Sequence, residues 1–331
     1  MPKLTKRLVY RIVGATIALL IVTELILRLA FGFGSPVLFQ ADSYTGYRFQ
    51  PNQQRVRFGK RINYNQYSQR SETITPTKTP GVLRILMIGD SVLNGGSPID
   101  QTQTITELLE AKIAAVGHSV EVLNASSGSW GIGNALGYLR QFGTFNSDGV
   151  ILEIGTNDLT QPTSTRQRLD REPGYPSRAP LLAIEEVVSR YLWPQIAGRL
   201  GFSTATPGEI PTAVDPARQA ALNRQDLTTT LKLIRDQGIP VFVVFVPALR
   251  NLIPVFNQPD YKAELLQLLQ ASQVVAIDTQ AAWANLPSTT MSTYFRDDNH
   301  PTVVGNQAIV AELFQQLCTS GKFPPCQPKR G

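Results

Sequence analysis

The stretch Arg84-Ile-Leu-Met-Ile-Gly-Asp-Ser-Val92 decides the fold, because a short apolar run ends abruptly there at Gly89-Asp90-Ser91. The run is rich in Ile and Leu and is too short for a free-standing helix. It therefore predicts a strand that is buried on both faces, as in a parallel sheet. Apolar residues then recur at helical spacing over residues 101–116. Ser91 accordingly lies at the carboxyl edge of the predicted sheet, where open α/β folds place their sites.

This position makes Ser91 a candidate nucleophile. At the edge of a sheet its hydroxyl faces solvent, and nearby backbone N–H groups at the start of a helix can bind an anion. Gly, Asp and Ser are also common residues in turns. The tripeptide alone is therefore compatible with a nucleophile or with a simple turn.

Four further short apolar segments predict strands at residues 120–124, 149–154, 241–246 and 274–278. Helical patterns separate or follow them, near residues 136–139, 216–237, 261–270 and 304–317. Five apolar strands that alternate with helices predict one doubly wound, three-layer α/β/α sandwich with a mostly parallel five-stranded sheet. The sequence contains no internal repeat.

The length and composition fit one large core with additional segments. The chain has 331 residues, of which 42% are hydrophobic and 17% charged, as in globular rather than disordered proteins. Residues 81–331 are the predicted catalytic domain. Within it, residues 160–215 are rich in Pro and Gly, and this insertion over the sheet edge is interpreted as a lid or a substrate-shaping element. Residues 35–80 show no sustained helical or strand periodicity of apolar residues. They are interpreted as a basic juxtamembrane connecting segment.

Residues 1–34 predict a membrane anchor. An apolar run over residues 12–27, continuing to residue 33, follows the basic residues Lys3, Lys6, Arg7 and Arg11. The run reaches ~20 residues, enough to cross a bilayer, and no small-x-small cleavage site follows it. Glu24 and Arg28 lie four residues apart, so their charges can pair near the far interface. The alternative is an amphipathic helix that packs on the protein's own core.

The positive-inside rule places the basic amino terminus in the cytoplasm and everything after Gly34 on the periplasmic or extracellular side. The net charge is +6, and residues 43–71 contain no acid. This segment is predicted to rest on anionic lipid headgroups or an acidic envelope polymer, or to be a solvated linker face. No nucleic-acid motif is present, so nucleic acid is not expected as a partner. The basic residues of the segment are Arg48, Arg55, Arg57, Lys60, Arg61 and Arg70.

The chain has two cysteines, Cys318 and Cys326. In an oxidising compartment they could form a disulfide that closes a small loop and pins the tail. Neither of the two histidines is near them in sequence. Without a ligand cluster, no metal or organic cofactor is expected.

A nucleophilic serine needs a base, and the chain offers only His118 and His300. His118 lies in the turn before the second predicted strand, at the opposite edge of the sheet. His300 lies in Arg296-Asp-Asp-Asn-His-Pro301, just before the final helix. Asp297, three residues earlier, can bind one imidazole nitrogen while the other faces the serine, which fixes the tautomer. Asp298 is the alternative, but the three-residue spacing favours Asp297.

Four sequence blocks together resemble the SGNH (GDSL-like) hydrolase superfamily. They are Gly89-Asp-Ser-Val92, a glycine after the second strand, Gly155-Thr-Asn-Asp158 and Asp297-x-x-His300, in the order of that superfamily. The resemblance covers roughly residues 82–318. The anchor, the basic segment and the long insertion are similar to those of membrane-anchored bacterial members.

The resemblance implies a role for each matching residue. Ser91 would be the nucleophile, His300 the general base and Asp297 the residue that orients the histidine. The oxyanion would be held by the backbone N–H groups of Ser91 and Gly128 and by the side-chain amide of Asn157. The glycine block reads Ser126-Ser-Gly-Ser-Trp-Gly131, so Gly131 could also be aligned there, with Ser129 close by; Gly128 is favoured.

These residues predict a serine esterase that forms an acyl-Ser91 intermediate. The compartment favours short O-acyl or O-acetyl esters on envelope carbohydrate as substrates. The alternatives are an O-acyltransferase, a lipid esterase or lysophospholipase and, in a different class, a non-catalytic carbohydrate-binding envelope protein. Asp90 and Asp158 are expected to bind backbone N–H groups at turns and helix starts. Glu153, inside an apolar strand, is expected to pair with a donor that the sequence does not identify.

Overall fold

A computed structural model describes residues 6–200 and 215–321 of the chain. Its strands are β1 (Phe39–Asp42), β2 (Gly46–Phe49), β3 (Gln53–Arg57), β4 (Lys60–Tyr64), β5 (Leu83–Gly89), β6 (Val120–Ser126), β7 (Gly149–Gly155), β8 (Val241–Val246) and β9 (Val275–Asp278). Its helices are α1 (Lys6–Phe31), α2 (Ser91–Asn94), α3 (Ile105–Ala114), α4 (Ile132–Phe142), α5 (Ala183–Val187), α6 (Trp193–Arg199), α7 (Pro216–Arg235), α8 (Lys262–Ala271), α9 (Thr279–Trp283), α10 (Ser288–Tyr294) and α11 (Val303–Thr319). One π-helical turn, Val188–Leu192, joins α5 to α6.

The predicted parallel sheet is confirmed. Five parallel strands lie in the order β6-β5-β7-β8-β9, with helices on both faces. Along β5, Leu86 and Ile88 contribute to one hydrophobic cluster while Ile85 and Met87 contribute to the other. A strand that is buried on both faces cannot alternate apolar and polar residues, which is why the sequence shows a continuous apolar run there.

The strand order reverses at β5: the chain adds β6 on one side of β5 and then adds β7 on the other side. Crevices at such a switch point, outside the carboxyl ends of the strands, are where open α/β sheets bind ligands. Ser91 directly follows β5, Gly128 follows β6 and Asn157 follows β7. The topology therefore brings three residues from distant parts of the chain to one edge.

Residues 35–80 differ from the expected connecting segment, because they form two antiparallel hairpins, β1-β2 and β3-β4. Tyr47, Ile62 and Tyr64 are buried in the same hydrophobic cluster as one face of the sheet. The Tyr47 hydroxyl donates to the carbonyl of Gly128 at 2.6 Å, and the Trp130 indole donates to the carbonyl of Tyr47 at 3.0 Å. This segment is therefore part of the same hydrophobic core as the parallel sheet.

The basic residues of this segment do not form a free cationic strip. Arg70 is fully buried and donates to the carbonyls of Asn94, Gly96 and Ile99 at 2.6–2.7 Å. Arg57 is also buried and forms an ion pair with Glu186 at 2.6 Å. Arg48 and Arg61 pair with Asp42 and Asp100 respectively. Most of these charges are thus bound within the protein, which weakens the expectation that the segment as a whole binds lipid headgroups.

Helix α1 is long and apolar enough to cross a membrane. Its best window has a mean hydropathy of 2.2, and none of that window is buried against the protein. This outcome differs from the alternative in which the helix packs on the core. The expected pairing of Glu24 with Arg28 is present, with Arg28 Nε 2.6 Å from Glu24 Oε1. Lys3 lies outside the described residues.

Two other expectations fall partly outside the described ranges. The insertion at residues 160–215 is described only to residue 200 and at residue 215, and α5, the π-helical turn and α6 lie within it. Cys318 lies in α11, whereas Cys326 is outside the described residues, so their pairing stays a prediction.

Candidate active site

Ser91 is the first residue of α2, at the carboxyl end of β5. The Asp90 carboxylate caps this short helix by accepting from the backbone N–H of Val92 at 2.6 Å. Gly95 ends it in the left-handed conformation, with φ of 78°, which a residue with a side chain rarely adopts. The strand, the aspartate cap and the glycine stop together hold the serine in a tight turn at the sheet edge.

The structure brings Ser91, His300 and Asp297 together. Ser91 Oγ lies 3.0 Å from His300 Nε2, across 209 residues of sequence. His300 Nδ1 lies 2.9 Å from both carboxylate oxygens of Asp297. A serine that contacts a base, which is in turn oriented by a carboxylate, is the arrangement that activates a hydroxyl for nucleophilic attack.

The loop before α11 fixes Asp297. Although partial burial opposes it, hydrogen bonds from the backbone N–H groups of Asn299 and His300 and from the imidazole lower the pKa of Asp297. The two backbone N–H groups lie 2.9 and 2.8 Å from Asp297 Oδ1. The carboxylate therefore stays ionised and holds the Nδ1–H tautomer of His300, which leaves Nε2 free to accept a proton.

The structure distinguishes the two glycines that the sequence left open. Gly131 is the residue before α4, and its N–H is engaged by the Asn134 side chain at 2.9 Å. Gly128 instead lines the cavity that also contains Ser91 and His300. A Cβ at Gly128 would lie 3.3 Å from the Tyr175 hydroxyl. Gly128 is thus the glycine beside the serine.

Asn157 follows β7, and its side chain is oriented by two neighbours. Arg250 Nη2 donates to Asn157 Oδ1 at 2.8 Å, and Asn157 Nδ2 donates to Asn299 Oδ1 at 3.1 Å. Because a guanidinium can only donate, Arg250 requires that the amide oxygen faces it. The amide NH₂ then points towards the loop that carries His300, with one N–H still available. Asn157 is outside the lining of the main cavity.

The two remaining candidates lie elsewhere. Asp298 forms an ion pair with Arg250 and accepts from its backbone N–H at 2.9 Å, so it acts on Arg250 rather than on the imidazole. His118 precedes β6 at the amino edge of the sheet, opposite the serine.

Sequence reasoning missed Arg250 and Asn299. Only the position of Arg250, shortly after the apolar strand β8, could have pointed to it.

A cavity of about 380 Å³ opens at Ser91 and His300. This volume is within the range of small-molecule sites in proteins. Three arginines and five aromatic residues contribute to its wall, together with small and apolar residues. The arginines are Arg57, Arg190 and Arg296, and the aromatic residues are Phe39, Phe49, Tyr64, Tyr175 and Tyr191. In the described ranges no group of three or more His, Cys, Asp or Glu residues is suited to hold a metal ion.

The sequence of residues 87–308, more than half of the chain, matches the GDSL-like Lipase/Acylhydrolase family. The chain belongs to this family. Its members hydrolyse esters, and the chain is accordingly a hydrolase that acts on ester bonds. The match spans all four sequence blocks, from β5 to α11, so the expected superfamily is confirmed.

Solved structures of esterases resemble the fold. A lipase/acylhydrolase from Enterococcus faecalis is 17% identical, with coverage of 74% of this chain and 99% of that one and a TM-score of 0.45. An acetyl xylan esterase is 15% identical, with 70% and 98% coverage and a TM-score of 0.44. An esterase from Pseudoalteromonas sp. is 15% identical, with 72% and 97% coverage and a TM-score of 0.42. No curated protein matches the sequence at a significant level.

Two carboxyl groups, those of Glu153 and Asp158, are buried behind the GDSL-type serine, next to the half-buried Asp90. Glu153 accepts from the backbone N–H of Asp90 at 3.1 Å, which identifies the donor that the sequence left open, and Asp158 accepts from that of Gly155 at 2.8 Å. A Cβ at Gly89 would collide with the carboxyl of Glu153, so the glycine before Asp90 is required by this contact. Among the described residues, Glu153 Oε1 and Asp158 Oδ1 have no hydrogen-bond partner.

Burial raises the pKa of Glu153 well above its ordinary value, and the nearby charges of Asp90 and Asp158 raise it further. Burial also raises the pKa of Asp158 and of Asp90. These carboxyls bind protons more tightly in the folded than in the unfolded chain. Their contribution to stability is therefore fully present below the unfolded value, near 4.5 for Glu153, and is lost as the pH rises through the raised folded value.

Glu153→Gln is expected to raise the melting temperature at alkaline pH and to leave it nearly unchanged near pH 4, because glutamine reproduces the protonated acid. Each kcal/mol gained shifts the melting temperature by about 2–4 °C in a domain of this size. Thermal unfolding of the detergent-solubilised chain across the pH range measures the effect. The matched control is the exposed Glu264→Gln. If the melting temperature of Glu153→Gln depended on pH in the same way as that of the wild type and of Glu264→Gln, Glu153 would not be protonated in the folded chain.

Proposed function

We propose that this chain is a serine esterase that removes short O-acyl groups, acetyl above all, from envelope carbohydrate on the non-cytoplasmic side of a membrane. The observation that carries the proposal is the continuous contact from Ser91 Oγ through His300 to Asp297, with distances of 3.0 and 2.9 Å. Ser91 and His300 line the cavity. Family membership supplies the ester chemistry.

In the proposed reaction, Ser91 Oγ attacks the ester carbonyl while His300 Nε2 takes its proton. The negative charge that develops on the carbonyl oxygen is bound by the N–H groups of Ser91 and Gly128 and by the Asn157 amide. Preorganised donors at such a charge each contribute roughly 3–4 kcal/mol. The imidazolium then protonates the departing alcohol, and water hydrolyses the acyl-Ser91 ester with His300 again as the base.

The cavity wall supports a carbohydrate substrate. Arg296 offers guanidinium donors to the cavity, whereas Arg57 and Arg190 are held by Glu186. Sugar hydroxyls and ring oxygens are acceptors for such donors. The partly exposed rings of Tyr175 and Tyr191 present apolar surfaces against which the C–H face of a sugar ring can pack. The non-cytoplasmic location rests on the basic amino end of α1 and on the positive-inside rule.

A lipid esterase is the second candidate, because another part of the same wall is apolar. Val37, Phe39, Phe49 and Ile62 line the cavity, and a fatty acyl chain would bury its methylenes there at about 0.8 kcal/mol each. The two candidates predict opposite preferences for acyl length.

Hydrolysis of a chromogenic acetyl ester by the detergent-solubilised full chain should be faster than that of the matching dodecanoyl ester, by roughly 10-fold or more in kcat/KM. An acetylated monosaccharide should release acetate in the same preparation. Ser91→Ala serves as the control for contaminating esterases. A preference for the dodecanoyl ester would favour the lipid esterase, and transfer of acetyl to an added sugar faster than to water would favour an O-acyltransferase.

A further inference from the structure

The segment at residues 181–200 exposes an apolar face. Leu181 is 88% exposed, Trp193 54% and Leu200 63%. Val188, Leu192 and Ile196 recur every four residues and are all exposed, so they form a stripe along one side of the helical segment. The opposite side is buried, with Ala183, Glu186 and Ala197 facing the protein. Contiguous exposed apolar surface of this kind marks an interaction site.

This segment is attached to the far end of α1. Glu24 of α1 accepts from the backbone N–H groups of Ala183 and Ile184 at 2.8 and 3.0 Å. Arg28 donates to the carbonyl of Leu181 at 2.6 Å. The start of α5 therefore lies beside α1 at the level of Glu24.

That level is within the membrane if α1 spans it. A helix rises ~1.5 Å per residue, so Glu24 lies about 10 Å before the end of α1 at Phe31. A helix needs ~20 residues to cross the hydrocarbon core of a bilayer. If the span begins just after Arg11, it must therefore extend to Phe31. Leu181, bound to Arg28 one turn after Glu24, then lies within the outer leaflet. Its 88% exposure is costly in water and favourable in lipid.

The same attachment explains two charges in an otherwise apolar helix. Glu24 and Arg28 would be costly in lipid without partners. The backbone groups of residues 181–184 bind both side chains, and the Glu24 side chain is only 15% exposed. The segment thus shields the ion pair while its own apolar side chains face outward.

Aromatic residues lie close to the end of α1. The Phe58 N–H donates to the carbonyl of Phe31 at 3.0 Å, so the tip of the β3-β4 hairpin touches the helix. The Phe33 ring lies 5.4 Å from that of Phe58 and 5.5 Å from that of Tyr191. Tyrosine and tryptophan are enriched at the level of lipid headgroups. Tyr191 in this cluster is 41% exposed and accordingly fits a position at the membrane–water boundary.

We propose that residues 56–58 and 181–200, the collar, lie in the outer leaflet around the end of α1 and seat the catalytic domain on the phospholipid surface. Arg57, Arg190 and Tyr191 of the collar also line the cavity at Ser91. On the proposed esterase function, the active-site cavity therefore lies close to the membrane surface.

Trp193 is a natural probe for the collar, because the other two tryptophans, Trp130 and Trp283, are 3% and 2% exposed. The full chain is reconstituted into vesicles of phosphatidylcholine and phosphatidylglycerol, with the phosphatidylcholine either unbrominated or brominated on its acyl chains near the glycerol. Bromine quenches tryptophan fluorescence on contact. Brominated vesicles should remove most of the Trp193 emission, and Trp193→Phe should abolish that difference.

Equal wild-type emission in brominated and unbrominated vesicles, with Trp193 still quenched by aqueous iodide, would show that the domain stands clear of the bilayer and would overturn the proposal. Leu181→Asp provides a second variant. It should restore iodide quenching of Trp193 in vesicles without changing hydrolysis of a soluble acetyl ester, which also shows that the variant is folded. Unchanged shielding from iodide in this variant would equally contradict the collar.

The experiment separates this inference from the proposed function. Fluorescence quenching needs no catalysis, so a chain without acetyl esterase activity would still report the position of Trp193. Conversely, a chain that hydrolyses acetyl esters through Ser91 but shows no bromine quenching would retain the proposed function and lose the collar.

Discussion

Ser91→Ala is expected to lower kcat/KM for ester hydrolysis by about 10⁴-fold or more, with little change in stability. Removal of a serine nucleophile or its histidine leaves only the rate that binding and oxyanion stabilisation provide. The Ser91 hydroxyl contacts only His300 Nε2 in the site, at 3.0 Å, so its loss leaves no buried group without a partner. The measurement is the initial rate with a chromogenic acetyl ester, alongside thermal unfolding.

Ser97→Ala is the matched control, because Ser97 lines the same cavity and lies six residues further along the chain. Its rate should stay within a few-fold of the wild type. An organophosphonate should add covalently to the wild type and to Ser97→Ala, but not to Ser91→Ala, as seen by mass spectrometry. The double variant Ser91→Ala with His300→Ala should be no slower than either single variant, since the residues act as a unit. Substantial activity in Ser91→Ala would show that another group attacks the ester.

The parallel sheet could be predicted from the sequence because its strands are buried on both faces. Val241–Val246 forms β8 with every residue buried, and the uninterrupted apolar run gives both the strand and its ends. The carboxyl-edge rule then placed Ser91, Gly128 and Asn157 on one side without any knowledge of contacts. The alternation with helices predicts parallel strands, whereas their order, β6-β5-β7-β8-β9, comes from the structure.

The two hairpins could not be predicted in the same way. Each strand has only four or five residues, and polar residues are buried in them as well as apolar ones. In β2, Arg48 separates the buried Tyr47 and Phe49, and the buried residues of β3 are Gln53 and Arg57. Their stability comes from contacts with distant parts of the chain, such as Tyr47 with Gly128 and Trp130. The fully buried Arg70 donates to three carbonyls at the end of α2 and in the loop that follows it. A local sequence pattern does not reveal such contacts. From its charge alone, Arg70 is predicted to lie on the surface.

The side chains of the site were predictable to different degrees. His300 could be found because the chain has only two histidines and only one of them lies at the right edge. Arg250 and Asn299 could not, since neither type is rare and their role depends on the orientation of the Asn157 amide. Glu153 was unusual in an apolar strand, but its partner Asp90 became apparent only from the pairing of β5 with β7.

Asp297→Asn is expected to lower kcat by up to about 10⁴-fold near neutral pH while the fold and KM change little. In the wild type, Asp297 accepts the Nδ1–H of His300 at 2.9 Å. Asparagine keeps one oxygen, which the backbone N–H groups of Asn299 and His300 retain, and turns its NH₂ towards Nδ1. His300 must then accept at Nδ1 and carry its proton on Nε2, so it cannot take the proton of Ser91. The wrong tautomer alone costs about this much in enzymes of this type.

Asp298→Asn is the matched control, one residue further along the same loop. Asp298 binds Arg250 rather than the imidazole, so its replacement should change kcat far less, by about 10-fold at most, through a looser Asn157. Rates with a soluble acetyl ester as a function of pH provide the measurement. Asp297→Asn should recover part of its rate at alkaline pH, where hydroxide can assist deprotonation of the serine. A larger loss in Asp298→Asn than in Asp297→Asn would show that the aspartate adjacent to Arg250 orients the base, since the two substitutions are otherwise chemically identical.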